Sequence, residues 1–374
     1  MTIRRVDVAG PGFRRRRAGR GFTYRDCDGE RITDADVIAR IRSLAIPPAW
    51  KDVWICPDPS GHIQAMGIDD RGRRQYRYHD DWRDQRDKAK HDRMLDIARA
   101  MPRLRRRLQH DLAAEGLGRD RVLASAVRLL ELGLFRVGGE AYADDNRSYG
   151  LATLRRGHVR AHGDELRFDY PGKSAQRRVV TIGDPEVVEV VRALKHRRRG
   201  GPELLAYKDD RGRWVDVRST DINAYLHDTL GPDVTAKDFR TWTATVLAAV
   251  GLAVEEDVGS ERQRRSAVVR VLRGVAQQLG NTPAVARSSY VDPRVIERFE
   301  DGQTVGSSLS PTEIEGMADD LGLGPADAAG GRSTDDADRI AVDGVPTDLL
   351  AEVDRAVVDL IEESPRRRAR ARRG

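Results

Sequence analysis

Near Asp87 the hydrophobic pattern changes its period, and that change limits what the chain can fold into more than any other feature. Before it, short apolar stretches at 53–56, 62–68 and 75–78 are separated by Pro-Ser-Gly and Arg-Gly-Arg, the punctuation of strands joined by turns. After it, Met94, Leu95, Ile97 and Ala98, then Val122, Leu123, Val127, Leu130 and Leu134, recur three and four apart, which is one face of a helix. The pattern predicts an α+β chain, with a small β-rich N-terminal domain over 1–86 and a larger, mainly α domain over 87–300. The first carries one helix at 34–44, with Thr33 as its N-cap and Pro47-Pro48 forbidding continuation.

The larger domain has one clear β interruption, at 165–182, where Leu166, Phe168 and Tyr170 alternate, Pro171-Gly172 turns, and Val179, Val180 and Ile182 resume. This reads as a hairpin with Lys173 at or just beyond its tip. Helices resume near Pro185, at 221–230 and at 241–252, and no internal repeat is evident. Beyond Asp301 no apolar period returns until 346–361, one amphipathic helix, and the chain closes on an Arg-rich run. Segment 301–374 is therefore expected to be an acidic, flexible tail.

Composition narrows the function classes. At 374 residues the chain is long enough for a large buried core. It has no run of about 18 apolar residues, and Met1 to Ala9 lacks an apolar signal core, so neither a membrane span nor secretion is expected. Cys27 and Cys56 are its two cysteines, too few for a disulfide framework or a four-thiolate zinc site, and a reducing cytoplasm fits. The net charge of +6 hides an asymmetry: 301–374 holds 9 basic and 16 acidic side chains, leaving 57 and 44 in the first 300 residues. A basic body of this kind favours a polyanionic partner, because each neutralised phosphate releases counterions.

Several familiar motifs fail. Gly172-Lys173-Ser174 resembles the end of a phosphate loop, but Arg167 stands where that loop needs glycine. No His-Glu-x-x-His, paired Cys-x-x-Cys or Gly-x-Ser-x-Gly occurs, which argues against ATP binding, a metal nuclease and a serine hydrolase. What remains is a series of cations and hydroxyls. Arg136 closes an apolar helical run before Gly138-Gly139; Lys237-Asp-Phe-Arg240 precedes another; Asn281-Thr-Pro283 opens a helix with proline at N1; and Tyr290 follows two turns later, before Pro293 stops that helix. Each residue alone has an ordinary reading as a helix-end charge, a solvated turn or packing.

Their order is specific: Arg, hairpin Lys, Lys-x-x-Arg, Leu-Gly-Asn-Thr, then Ser-x-Tyr. Over roughly residues 20 to 300 the chain resembles type IB DNA topoisomerases, especially the small poxvirus-like enzymes of bacteria. The segment from Asp70 to Tyr78, with Gln75-Tyr76-Arg-Tyr78, is similar to that family's DNA-contacting Gln-Tyr-x-Tyr. The resemblance implies that Tyr290 is the nucleophile forming a 3′-phosphotyrosyl enzyme, that Arg136 and Arg240 grip the non-bridging oxygens, and that Lys173 protonates the departing 5′ oxygen. It places Gln75, Tyr76, Tyr78, Tyr142 and Lys237 on the DNA. Asn281 stands where many relatives have histidine, leaving a neutral donor, and Gly139 replaces a lysine of the viral motif.

This chemistry needs these residue types. An alkoxide leaves poorly at neutral pH, so a lysine whose pKa is lowered by burial and neighbouring cations supplies the proton. Arginine cannot, being effectively never deprotonated. With two arginines as fixed electrophiles the mechanism requires no metal, ATP or other cofactor. The fold expected is a clamp, β domain and catalytic α domain closing around duplex DNA, working as a monomer in the cytoplasm at the nucleoid with no obligate small-molecule ligand. Two alternatives remain. A tyrosine recombinase shares the nucleophile and arginines, but it typically carries His-x-x-Arg, a shorter interval from Arg240 to Tyr290 and a helical first domain. A non-catalytic DNA-binding protein would give Lys173 and Tyr290 no reason to accompany both arginines.

Overall fold

The computed structural model describes residues 2–139, 148–255, 259–320, 323, 339–342 and 347–362. The chain divides into two compact units, Met1–Arg93 and Met94–Gly374. No described helix is long and apolar enough to cross a membrane.

The first unit is built on a five-stranded antiparallel sheet of order β2-β1-β3-β4-β5, formed by β1 (Phe13–Ala18), β2 (Gly21–Arg25), β3 (Lys51–Ile55), β4 (Ile63–Ile68) and β5 (Arg74–Tyr78). Helix α1 (Ala35–Ser43) covers one face, and Ile41, Val53, Ile55 and Ala65 form the core beneath it. Its N-cap is Asp34, one residue later than the Thr33 expected. Asp34 Oδ1 accepts from the N–H groups of Asp36 and Val37 at 2.9 and 3.0 Å, and a carboxylate there suits the positive helix end better than a hydroxyl.

In the second unit α2 (Asp80–Leu112, which begins in the first), α3 (Arg119–Gly133), α4 (Pro185–Lys195), α5 (Ser219–Leu230), α6 (Ala236–Val254) and α7 (Glu261–Leu279) share one large core. Helix α6 is buried on nearly every side from Ala236 to Ala253, so its sequence is apolar all round and shows no clean stripe. The expected hairpin is β7 (Glu165–Pro171) with β8 (Arg177–Ile182), and it is the centre of a larger sheet. β6 (Val159–His162) pairs antiparallel with β7, and β11 (Arg339–Val342) pairs parallel with β8. A second small hairpin joins β9 (Ala206–Lys208) to β10 (Trp214–Asp216).

The region beyond Asp301 departs from the expectation of a flexible tail. Helix α10 (Pro311–Asp320) buries Ile314, Met317 and Ala318, and α11 (Thr347–Glu362) buries Val353, Ala356, Val357 and Ile361 in the same core. Asp354 of α11 accepts from Trp242 Nε1 of α6 at 2.7 Å and pairs with Arg105 Nη2 of α2 at 2.7 Å. A high carboxylate count concealed this because Asp354 sits inward against Arg105 and Trp242 while its acidic neighbours line the outer face. The Arg-rich run lies outside the described residues.

Candidate active site

The site is organised by one helix end. Helix α7 stops at Gly280, whose φ of +58° is the left-handed cap that glycine adopts without penalty. The last carbonyls of a helix lack intrahelical partners and carry its negative end. Here three arginines from three different elements supply them. Arg178 of β8 donates from Nη1 to the Gln277 carbonyl at 3.2 Å and from Nη2 to that of Gln278 at 2.9 Å. Arg240 of α6 donates from Nη2 to the Leu279 carbonyl at 2.7 Å and from Nη1 to that of Leu134. Arg136 donates from Nη2 to the Gly280 carbonyl at 3.1 Å and to Asn281 Oδ1 at 2.6 Å.

Each arginine is held by its own local logic. Helix α3 ends with Leu134 in the left-handed region at φ 51°, so Arg136 lies on the extended segment after the helix and not on its last turn as the sequence suggested. Phe135 is buried against Phe168 and Tyr170 of β7, while the Leu151 N–H bonds the Arg136 carbonyl at 2.8 Å. Gly150 makes that approach possible, since a Cβ there would meet the Arg136 carbonyl oxygen at 2.6 Å. Lys237 and Arg240 fall within α6 and not ahead of it. Thr235 and Asp238 close a capping box, with the Thr235 N–H to Asp238 Oδ2 at 2.8 Å; Lys237 is exposed on the first turn and Arg240 buried one turn deeper.

Thr282 caps α8 (Pro283–Ser289), proline standing at N1, and Tyr290 is its C-cap. The backbone after Tyr290 is pinned by the buried Thr245 of α6, whose hydroxyl accepts from the Asp292 N–H at 3.1 Å and shares its one proton between the Thr241 carbonyl at 3.0 Å and the Tyr290 carbonyl at 3.3 Å. Pro293 does not stop this helix. It opens α9 (Pro293–Glu300) at N1, with Asp292 as N-cap accepting from the Arg294 N–H at 3.0 Å.

Arg240 then lies over the half-buried phenol, its guanidinium carbon 5.6 Å from the Tyr290 ring centroid. Burial alone would raise the Tyr290 pKa, but the charges of Arg240, Arg136 and Lys237 outweigh it and hold the phenol below its ordinary value. Burial and Arg136 push the Arg240 guanidinium down, yet an arginine stays a cation at neutral pH. Because Arg136 can only donate, the oxygen of the Asn281 amide must face it. That leaves Asn281 Nδ2 and Arg240 Nε as buried donors without an acceptor among the described residues. Such a pocket, cationic and donor-rich around a hydroxyl, suits an anionic ester.

Of the five residues singled out as catalytic, Arg136, Arg240, Asn281 and Tyr290 come together. Lys173 stands exposed on the short turn Lys173–Ala175 between β7 and β8, and among the described residues no hydrogen bond or ion pair joins its side chain to the other four. The burial expected of Lys173 is absent there, because a hairpin tip projects into solvent. On β5, Tyr76 and Tyr78 share an exposed face with rings 6.0 Å apart. Gln75 points the other way, its amide bonded to Asp69 Oδ2 at 2.9 Å, since successive side chains of a strand alternate faces. Tyr142 lies outside the described residues. Sequence reasoning missed Arg178 and Thr245; the one available signal was a charged residue at a buried position of an otherwise apolar strand.

Comparison with known proteins agrees with this geometry. Residues 79–305 match the family described as eukaryotic DNA topoisomerase I, catalytic core, and residues 21–69 match the bacterial DNA topoisomerase IB N-terminal domain. A DNA topoisomerase 1B of Acanthamoeba polyphaga mimivirus is 31% identical over 297 residues, spanning 77% of this chain and 88% of that protein. The first match alone takes in more than half of the sequence and every residue of the cluster around Tyr290, so the chain belongs to the type IB DNA topoisomerase family.

Proposed function

We propose that the chain relaxes supercoiled duplex DNA through a transient break made by Tyr290. The phenol oxygen attacks a backbone phosphorus in line with the bond to the 5′ oxygen. A 3′-phosphotyrosyl ester forms, the 5′-hydroxyl strand departs with a proton from Lys173, and the phenol proton passes to solvent. The downstream duplex rotates about the intact strand, and the 5′-hydroxyl then attacks the ester to reseal the nick and release Tyr290. A phenol ester retains the phosphodiester energy, so resealing needs no nucleotide.

The observation that carries this reading is the convergence of Arg136, Arg240 and Asn281 on a phenol whose pKa is lowered. Donors fixed where charge grows are the largest single contribution in many such reactions. In this reading Arg136 and Arg240 hold the non-bridging oxygens and Asn281 Nδ2 donates a neutral hydrogen bond. Lys173 reaches the leaving oxygen only once DNA draws its exposed turn inward. Tyr76, Tyr78, Tyr142 and Lys237 contact DNA, Gln75 braces β5 from its other face, and the protein works as a monomeric clamp at the nucleoid.

Plasmid relaxation in excess EDTA without nucleotide, with the covalent adduct mapped to its residue, tests the proposal. Wild-type protein is expected to relax the plasmid and yield an adduct on Tyr290. Tyr290→Phe is expected to bind DNA and neither cleave nor relax it; relaxation by that variant, or an adduct elsewhere, would overturn the assignment.

A further inference from the structure

Arg178 has no part in the scheme above, yet it is held as firmly as Arg136 and Arg240, by two carbonyls of the same helix end. It is 9% exposed, on β8, with both terminal nitrogens bonded to the last turn of α7. A buried guanidinium held this way is costly unless its donors are met, so its position calls for an explanation beyond stability.

Three contacts supply one. First, the turn that carries Lys173 rests on the Arg178 stem: a Cβ at Gly172 would lie 3.0 Å from Arg178 Cγ, so the glycine backbone is packed directly on it. That turn is closed by the Gly172 N–H to the Gln176 carbonyl at 2.8 Å, and Ser148 Oγ donates to the Gly172 carbonyl. Second, Arg178 is the cross-strand partner of the buried Tyr170, which stacks on Phe135 beside Arg136. Third, the carbonyls it holds precede Gly280 and Asn281, and a Cβ on Gly280 would approach Arg178 Nη1 at 3.0 Å. One side chain thus touches the base of the Lys173 turn and the helix end that sets Asn281.

We infer that Arg178 is a positioning residue of the cleavage reaction, which fixes the base of the Lys173 turn against the end of α7 so that Lys173 closes on the leaving oxygen in one register. The inference rests on the reading of Lys173 as the general acid. It makes Arg178 act through Lys173, whose turn packs on its stem, and recovery on a sulfur leaving group separates that role from a direct contact with the phosphate.

The test compares two duplexes that share a cleavage site mapped with the wild-type enzyme, one with oxygen and one with sulfur at the bridging 5′ position. A thiolate leaves without protonation, so a variant deficient only in acid delivery recovers on sulfur. Arg178→Gln is expected to lose at least roughly tenfold in single-turnover cleavage on oxygen, a part of the roughly 10²- to 10⁴-fold that a general acid contributes, and to return to near the wild-type rate on sulfur. Arg178→Lys, which keeps the charge and guards against a folding failure of the first variant, is expected to show the same recovery from a smaller loss. The double variant Lys173→Ala with Arg178→Gln is expected to be no slower than Lys173→Ala. Equal losses on both duplexes, wild-type rates on both, or an additive loss in the double variant would each overturn the role of Arg178. Failure of sulfur to restore Lys173→Ala would instead remove the general-acid assignment, leaving the double variant to decide whether Arg178 acts through Lys173.

Discussion

Asn281 offers a test in which two readings predict opposite rankings. Its Oδ1 accepts from Arg136 at 2.6 Å and its Nδ2 is buried without an acceptor among the described residues. If the amide serves the reaction by donating to a phosphate oxygen, Asn281→Ala removes one hydrogen bond to a charged group. That is worth about 1.5–3 kcal/mol, or roughly 10- to 150-fold in rate. Asn281→Asp is more revealing, since it keeps an acceptor for Arg136 and places a negative oxygen where the donor was. Two like charges about 4 Å apart repel by about 4 kcal/mol at an effective dielectric constant near 20, and closer pairing with Arg136 offsets part of that. The expected order of single-turnover cleavage is Asn, then Ala, then Asp, with Asp at least roughly tenfold below Ala. The assay is covalent adduct formation on a labelled duplex at saturating enzyme, with DNA affinity measured in parallel. Should Asp cleave faster than Ala, the residue works by holding Arg136, and the donor argument is wrong.

Three further outcomes follow from the same contacts. Asp354→Ala strips a 5% exposed carboxylate from Trp242 and from Arg105, which keeps Glu131; losing hydrogen bonds to a charged group costs about 1.5–3 kcal/mol, so the melting temperature is expected to fall by at least 3 °C or so at about 2–4 °C per kcal/mol, and a shift under about 1 °C would show that the carboxylate holds nothing. Arg136→Ala removes a cation that lowers the Tyr290 pKa, so the rising limb of cleavage against pH is expected to move to higher pH, and an unmoved limb would contradict the electrostatic coupling. Gly150→Ala places a methyl 2.6 Å from the Arg136 carbonyl oxygen and 2.5 Å from Gly138; a backbone shift costing about 1–3 kcal/mol is expected to depress cleavage more than DNA binding, and parallel losses in both would argue against a local effect.

Much of this was legible in the sequence because local rules set it. The alternation of Leu166, Phe168 and Tyr170 and Thr282 ahead of Pro283 describe neighbours within a few residues, and the structure keeps both. The change of period near Asp87, by contrast, falls inside α2, which begins at Asp80, because its exposed first turns carry no apolar stripe. What escaped depends on partners distant in the chain. Leu134 turns left-handed because the chain must leave α3 to meet Leu151, which no spacing around Arg136 reveals. Arg178 and Thr245 act on backbone groups about 100 and 45 positions away, and a carbonyl has no residue type to recognise. The amphipathic spacing at 346–361 was visible, but its docking on Trp242 was not, since acidic composition says nothing about which carboxylate turns inward. Lys173 illustrates the reverse case: order in the sequence named it, and the fold by itself leaves it in solvent.

How can three guanidiniums gather on one helix end, two of them beside a phenol? Like charges this close repel, and burying them costs solvation. The end of α7 answers both difficulties, because Gln277, Gln278, Leu279 and Gly280 present carbonyls to Arg178, Arg240 and Arg136 at the negative pole of the helix. The carbonyls stand in part for the oxygens of the ester, so the cations are desolvated and oriented when the chain folds and need little reorganisation when DNA binds. Arginine is what makes this possible. Its guanidinium carries five donors in a fixed fork, so Arg136 and Arg240 each satisfy two protein acceptors with donors to spare, and Arg240 Nε has no acceptor among the described residues. A lysine has three donors on a single nitrogen, and if it bonded the same two carbonyls it would have at most one left. Under the proposed function the same reasoning accounts for Lys173 standing outside the cluster: a proton donor must approach and withdraw, whereas a grip on the phosphate works best already in place.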